Sequence, residues 1–200
     1  MSLTDSDSDS HFSETERAST ALLIVDMIND LEFDEGEQLL EFALPVARRL
    51  QKLKQRFNQR GWPVIYANDN FGKWQSDFRS QVDHCLQDNV RGKAIVERLV
   101  PESDDYFVLK PMHSAFYGTT LDILLKNLGV TTLVITGVAT NICILFTGND
   151  AYMRGYRLWI PGDCVAANTA TLSETALEQA RMVLKANTTN SAELDLDQLA

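Results

Sequence analysis

The order of short apolar runs and helix-like stretches constrains this chain more than any other feature. From Thr20 onward, apolar runs at 21–25, 64–67, 106–109, 132–136 and 157–160 are separated by helical patterns around 42–60, 119–128, 141–154 and 172–186. The runs are continuous instead of alternating with polar residues, the pattern of strands covered on both faces. The segments between them are long enough for right-handed crossovers. The expected fold class is therefore α/β, a doubly wound three-layer αβα sandwich on a parallel sheet.

Local punctuation supports these borders. Gly61 follows Asn58-Gln-Arg60 and Gly129 follows Lys126-Asn-Leu128, each a glycine after a polar last turn, and Thr119 or Thr120 can cap the helix that begins before Leu121. The stretch from Asn68 to Pro101 breaks the rhythm. It is long and polar, with a helix expected near 76–88, and reads as a cap or wall over the crevice rather than sheet core.

A chain of 200 residues with 44% hydrophobic content fits one domain, expected over 20–200. Residues 1–19 are rich in Ser, Asp and Glu and are expected to form a flexible acidic tail. The formal charge of −10 disfavours nucleic acid and anionic membrane surfaces as partners. No apolar stretch approaches the roughly 20 residues that cross a bilayer, and no signal-peptide pattern opens the chain, so a cytoplasmic location is expected. Cys85, Cys143 and Cys164 are at no metal-like spacing and suggest no disulfide framework.

Three polar residues stand at matching places beside these strands. Asp26 ends the first run and Lys110 ends the run Tyr106-Phe-Val-Leu109, while Cys143 closes Gly-Val-Ala-Thr-Asn-Ile-Cys at the turn from the fourth strand into a helix. The carboxyl edge of a parallel sheet is where ligands bind, so the three are expected to converge there. A helix N-terminus and an ammonium favour a thiolate, and a nearby carboxylate can take the thiol proton and return it to a leaving amine. The attacked carbonyl oxygen would be held by the N–H groups of Ala139 and Cys143. The usual imidazole base is not expected, because none of His11, His84 and His113 ends a strand.

These residues resemble a known family. Asp-Met-Ile-Asn-Asp at 26–30, Lys-Pro-Met-His-Ser-Ala-Phe at 110–116 and Gly-Val-Ala-Thr-Asn-Ile-Cys at 137–143 look like the motifs of isochorismatase-like cysteine hydrolases. That family includes nicotinamidases, N-carbamoylsarcosine amidases, ureidoacrylate amidohydrolases and isochorismatase itself. The resemblance spans about residues 20–187 and implies a six-stranded parallel sheet, a catalytic set of Asp26, Lys110 and Cys143, and a cis peptide between Val138 and Ala139. It also implies an oligomer, a homodimer or homotetramer.

Two departures narrow the expectation. Nicotinamidases follow an aspartate after the second strand with metal-binding histidines, and here that place reads Asn68-Asp-Asn-Phe-Gly72, so no metal and no other cofactor is expected. Isochorismatase proper works without the nucleophilic cysteine, so Cys143 points to C–N bond hydrolysis of a small amide, ureide or carbamoyl compound through a thioester. A catalytically silent small-molecule-binding member of the same fold is the alternative. Pocket residues expected from their positions are Phe33, Asn68, Asn70, Phe71, Trp74, Phe116, Tyr117 and Phe146, an aromatic wall with a few amides. No arginine clamp stands beside the three motifs; Arg79 and Arg91 lie in the cap segment, within reach of a substrate carboxylate in principle but expected at surface positions. Asn141 is expected to cap the helix.

Overall fold

The computed structural model describes residues 19–70 and 77–199. The tail expected over 1–19 lies outside these residues apart from Ser19, as do Phe71 and Trp74. The Ser19 carbonyl accepts hydrogen bonds from the Thr131 and Thr132 amides.

Six parallel strands form one sheet: β1 (Thr20–Val25), β2 (Val64–Asp69), β3 (Tyr106–Lys110), β4 (Thr132–Val138), β5 (Arg157–Trp159) and β6 (Val165–Ala166). Their order is β3-β2-β1-β4-β5, with β6 also pairing with β4. The outer edge of β4 is shared, because β5 pairs with Thr132–Val134 and β6 with Gly137 and Val138. Strand β6 has only two residues and carries no periodicity of its own, which is why the apolar runs did not reveal it. The chain winds outward from β1 to β3 on one side and through β4 on the other. This places the topological switch point between β1 and β4, whose carboxyl ends open the ligand crevice of such sheets.

Each central strand feeds two cores. Leu22 and Ile24 pack with α1 (Gly36–Asn58) through Leu39, Ala43, Val46, Leu50, Leu53 and Phe57. Ala21, Leu23 and Val25 face α4 (Leu121–Asn127), α5 (Leu145–Met153) and α6 (Ala170–Leu184). Every residue of β1 and β4 is buried, so the continuous apolar runs reflect cover on both faces.

Helix α1 begins at Gly36, well before the expected start near 42. A start near 42 would place Pro45 in the first turn, where proline is tolerated, but the helix instead carries it in its interior on an exposed position. Thr120 is the N-cap residue of α4 but makes no side-chain cap, and it is the preceding Thr119 whose hydroxyl accepts from the Leu121 amide at 3.1 Å.

The segment expected only as a cap is also core. Helices α2 (Phe78–Gln87) and α3 (Lys93–Val96) bury Phe78, Cys85, Ile95 and Val96 beside Tyr66 and Phe57. Phe78 stacks on Phe107 of edge strand β3 at 5.0 Å. Scattered apolar residues in a polar stretch gave no clear periodic signal, but together they cover the end of one sheet face.

A buried ion pair holds this region to α1. Lys54 Nζ lies 2.6 Å from Asp105 Oδ2, both side chains being 6% exposed, and 3.1 Å from Glu102 Oε1. Asp105 Oδ2 also accepts from the Glu102 amide at 2.7 Å. Removing one partner of a buried pair strands the other charge, so Asp105→Ala is expected to lower unfolding free energy by about 3 kcal/mol in urea titrations. A loss below about 1 kcal/mol would show that Glu102 alone satisfies Lys54.

Candidate active site

Asp26, the residue after β1, has φ 53°, a left-handed conformation that short polar side chains tolerate better than most. Its Oδ1 accepts from the Asp69 amide at 2.8 Å, and its Oδ2 lies 2.9 Å from Lys110 Nζ. The Asp69 carbonyl in turn accepts from Gln81 Nε2 at 3.0 Å, so α2 braces the end of β2 that holds Asp26.

Lys110 ends β3, separated from β1 by β2, and its wholly buried side chain reaches back to the switch point. Its Nζ donates toward Cys143 Sγ at 3.5 Å and the Met112 carbonyl at 3.4 Å, and lies 3.6 Å from Asp69 Oδ2. Asp26, Lys110 and Cys143 are thus brought together.

Cys143 rides on a π-helical turn, Thr140–Ile144, that precedes α5. Such turns recur at functional positions. The Thr140 hydroxyl is 3.0 Å from that of Ser173, which ties the turn to α6. The turn is entered through the Val138–Ala139 peptide, which is cis. The Ala139 carbonyl accepts from the Ile142 and Ile144 amides, so Ala139 and Cys143 sit at the two ends of one tight loop. Asn141 makes no side-chain cap, and its Oδ1 is buried without a partner.

Electrostatics at this cluster favour a resting thiol. Burial and the Asp26 charge push the Cys143 thiol up to about 12, and the Lys110 ammonium offsets only part of that. The expectation that helix and ammonium would make a thiolate is therefore reversed by desolvation. Burial likewise raises Asp26 above the usual carboxylate range despite Lys110. For Lys110, burial acts against the charge, but Asp26, Cys143 and Asp69 together leave its ammonium raised. Cys143 nevertheless stays partly open to solvent, whereas Cys85 and Cys164 are buried.

The other residues expected at the site are divided in their placement. Asn68 is fully buried, and its Nδ2 donates to the Ile28 carbonyl at 2.7 Å, bracing the loop after Asp26. Phe116 is buried, 6.0 Å from the Tyr156 ring and 4.7 Å beneath the Arg154 guanidinium. Asn70 is buried at the end of β2, and its amide donates to the Lys110 carbonyl at 3.1 Å. Phe33, Tyr117 and Phe146 are exposed, with Phe146 against the His113 ring. Phe71 and Trp74 lie outside the described residues.

Several supports were not singled out from sequence. Thr147 accepts from the Ala115 amide at 3.0 Å, and Ser114 donates to Asp150, so the loop after Lys110 is fastened to α5. Asp69 is the larger omission. It ends β2 as Asp26 follows β1, and the strand-end argument applied to β2 would have found it.

Arg91 is committed elsewhere. Its Nη1 donates to the Leu31 carbonyl at 2.7 Å and the Phe33 carbonyl at 3.4 Å, and its amide donates to Glu32. Together with His84, held between Asp30 and Asp88 at 3.1 and 2.7 Å, it clasps the loop after β1 to the α2–α3 segment.

The fold and this cluster define a class, doubly wound α/β proteins with an aspartate, a lysine and a cysteine gathered at the carboxyl edge of the sheet. The chain belongs to the isochorismatase family, whose domain model matches residues 20–192. It is 46% identical over 178 residues to the uncharacterized isochorismatase family protein YaaI of Bacillus subtilis, covering 89% of this chain and 97% of that protein. Among solved structures it resembles N-carbamoylsarcosine amidase from Thermoplasma acidophilum, with TM-score 0.69, 26% identity, and coverage of 88% of this chain and 99% of the other. An isochorismatase family protein from Desulfovibrio vulgaris aligns with TM-score 0.73 and 25% identity over 91% of this chain and 98% of its own. No helix among the described residues is long and apolar enough to cross a membrane.

Proposed function

We propose that this protein hydrolyses a C–N bond in a small amide, ureide or carbamoyl compound through a thioester on Cys143. The observation that carries the reading is the Lys110 ammonium lying within 2.9 Å of Asp26 and 3.5 Å of a sulfur that solvent can reach. The name of the structural relative that acts on N-carbamoylsarcosine supports the same bond type.

The raised thiol and the raised carboxylate assign the roles. Asp26 takes the Cys143 proton as sulfur bonds to the carbonyl carbon, so the strong nucleophile forms only when substrate is present. The carbonyl oxygen becomes an oxyanion facing the amides of Ala139 and Cys143. Collapse breaks the C–N bond, and the leaving nitrogen takes the proton from Asp26. Water, deprotonated by Asp26, then attacks the thioester, and the acid departs as the thiol regains its proton. Lys110 keeps its charge throughout and orients both partners.

Asn70, Phe33, Tyr117 and Phe146 form the substrate wall in this reading. Asn68 and Phe116 act from behind it. The reading extends to a homodimer or homotetramer, supported by exposed Met153, Met182 and Val183 on α5 and α6.

Mass spectrometry of the protein after incubation with a pool of small amides tests this. An acyl adduct on Cys143, absent from Cys143→Ala, is expected, and its mass reports the acyl half. Absence of both adduct and product across the pool would instead fit a silent binding protein.

A further inference from the structure

We propose that Gln81 of α2 is a positioning residue for the Asp26 base, acting on it through the main chain of Asp69. As a statement about catalysis it rests on the hydrolase reading, but its effect on the Cys143 sulfur does not.

The ladder between β1 and β2 ends at the pair Val25 and Ala67, where the Asp26 amide donates to the Ala67 carbonyl at 3.0 Å. Beyond that point side chains continue it. The Asp69 amide donates to Asp26 Oδ1 at 2.8 Å, and the Asp69 carbonyl accepts from Gln81 Nε2 at 3.0 Å. The peptide that carries this carbonyl also presents the Asn70 amide to the Lys110 carbonyl at 3.1 Å. One peptide plane is thus gripped from both sides, by Gln81 and by the end of β3, and the residue it belongs to aims the Asp26 carboxylate. Lys110 Nζ holds the other carboxylate oxygen at 2.9 Å.

Gln81 interrupts an apolar stripe. Phe78, Gln81 and Cys85 are the buried residues of α2, and Phe78 packs on the Tyr66 and Phe107 rings at 5.7 and 5.0 Å. Gln81 is 9% exposed, and its Oε1 is buried with no hydrogen-bond partner among the described residues. The orientation of the amide is fixed, because only its nitrogen can donate to a carbonyl. An unpaired buried acceptor costs about as much stability as the hydrogen bond to Asp69 returns. The side chain therefore adds little to the fold, and what it does is place the Asp69 carbonyl.

The test uses the full-length protein. Gln81→Met keeps the bulk of the side chain and removes both the donor and the unpaired oxygen. Its urea midpoint is expected to equal or exceed that of the wild type. Turnover of a small amide is expected to fall about tenfold in kcat with KM unchanged, because the base is misaimed while the substrate wall is untouched. Alkylation of Cys143 by iodoacetamide at neutral pH is expected to rise about threefold, because a loosened Asp26 carboxylate opposes the thiolate less. Gln81→Glu supplies the rescue. A protonated carboxyl can donate to the Asp69 carbonyl and an ionised one cannot, so its turnover relative to the wild type is expected to fall as pH rises from about 5 to about 8.

A Gln81→Met protein that unfolds at lower urea, or fails to fold, overturns the proposal in favour of a structural role. Unchanged kcat and alkylation rates in Gln81→Met also overturn it, as does a Gln81→Glu ratio that is flat with pH. Faster alkylation of Gln81→Met in a protein that turns over no amide would sink the hydrolase reading and leave the hold of Gln81 on Asp26 standing.

Discussion

Asp26→Asn is expected to reduce hydrolysis about a thousandfold while making Cys143 more reactive toward iodoacetamide at neutral pH. The two effects run in opposite directions because Asp26 acts on the sulfur in two ways. As a base it removes the thiol proton when substrate arrives, and asparagine cannot. As a charge it helps hold the thiol at about 12, together with burial. Removing a negative neighbour stabilises the thiolate, so the thiol value falls and the alkylation profile moves to lower pH. In the wild type, alkylation should keep rising beyond pH 9, above where an ordinary cysteine levels off. Cys85, pushed up to about 11, and Cys164, pushed up to about 12, are buried and should stay silent, so labelling reports Cys143. An Asp26→Asn protein that is both inactive and less easily alkylated would mean that the carboxylate serves to hold the fold.

Gly137→Ala is expected to lower unfolding free energy by about 3 kcal/mol and to abolish turnover in whatever folded fraction remains. Gly137 has φ 113°, a region that side chains rarely occupy, and a Cβ there would meet the Val25 carbonyl oxygen at 2.0 Å. Gly137 and Val25 are register partners in β4 and β1, so the two backbones meet at this point. Relief requires the strands to part, and Val25 immediately precedes Asp26. Displacement of Val25 therefore carries the base away from the sulfur, where misplacement of about 1 Å is costly. Urea unfolding and product formation check both halves. A stable and active Gly137→Ala would show that the end of β1 shifts without moving Asp26.

The central strands β1 and β4 were legible because each is a continuous run of mostly β-branched and aliphatic residues buried along its whole length. The helices were less well bounded. Leading turns such as Gly36-Glu-Gln are polar and look like loop until Leu39 is buried, and the π-helical turn before α5 has no pattern that separates it from ordinary helix. Strand β6 exists because the outer edge of β4 beyond β5 needs a partner, a demand made by the sheet and not by Val165-Ala166 alone. Among the pocket candidates, Phe116 could not be told from Phe146. One closes the motif at 110–116 and the other follows Cys143 by three residues, yet the first lies under Arg154 in the core and the second is exposed.

The amino-acid sequence by itself determined the alternation of strand and helix, the double cover of the sheet, and which residue types stand where strands end, since these depend on local periodicity and composition. Tertiary structure alone decided that Lys110 reaches across β2 to join Asp26 and Cys143, that Asp69 shares its ammonium, and that burial keeps the thiol protonated. The reason is physical. Distances between strand ends follow from pairing order, and desolvation depends on every neighbour that excludes water, whereas a residue's place in the chain records neither.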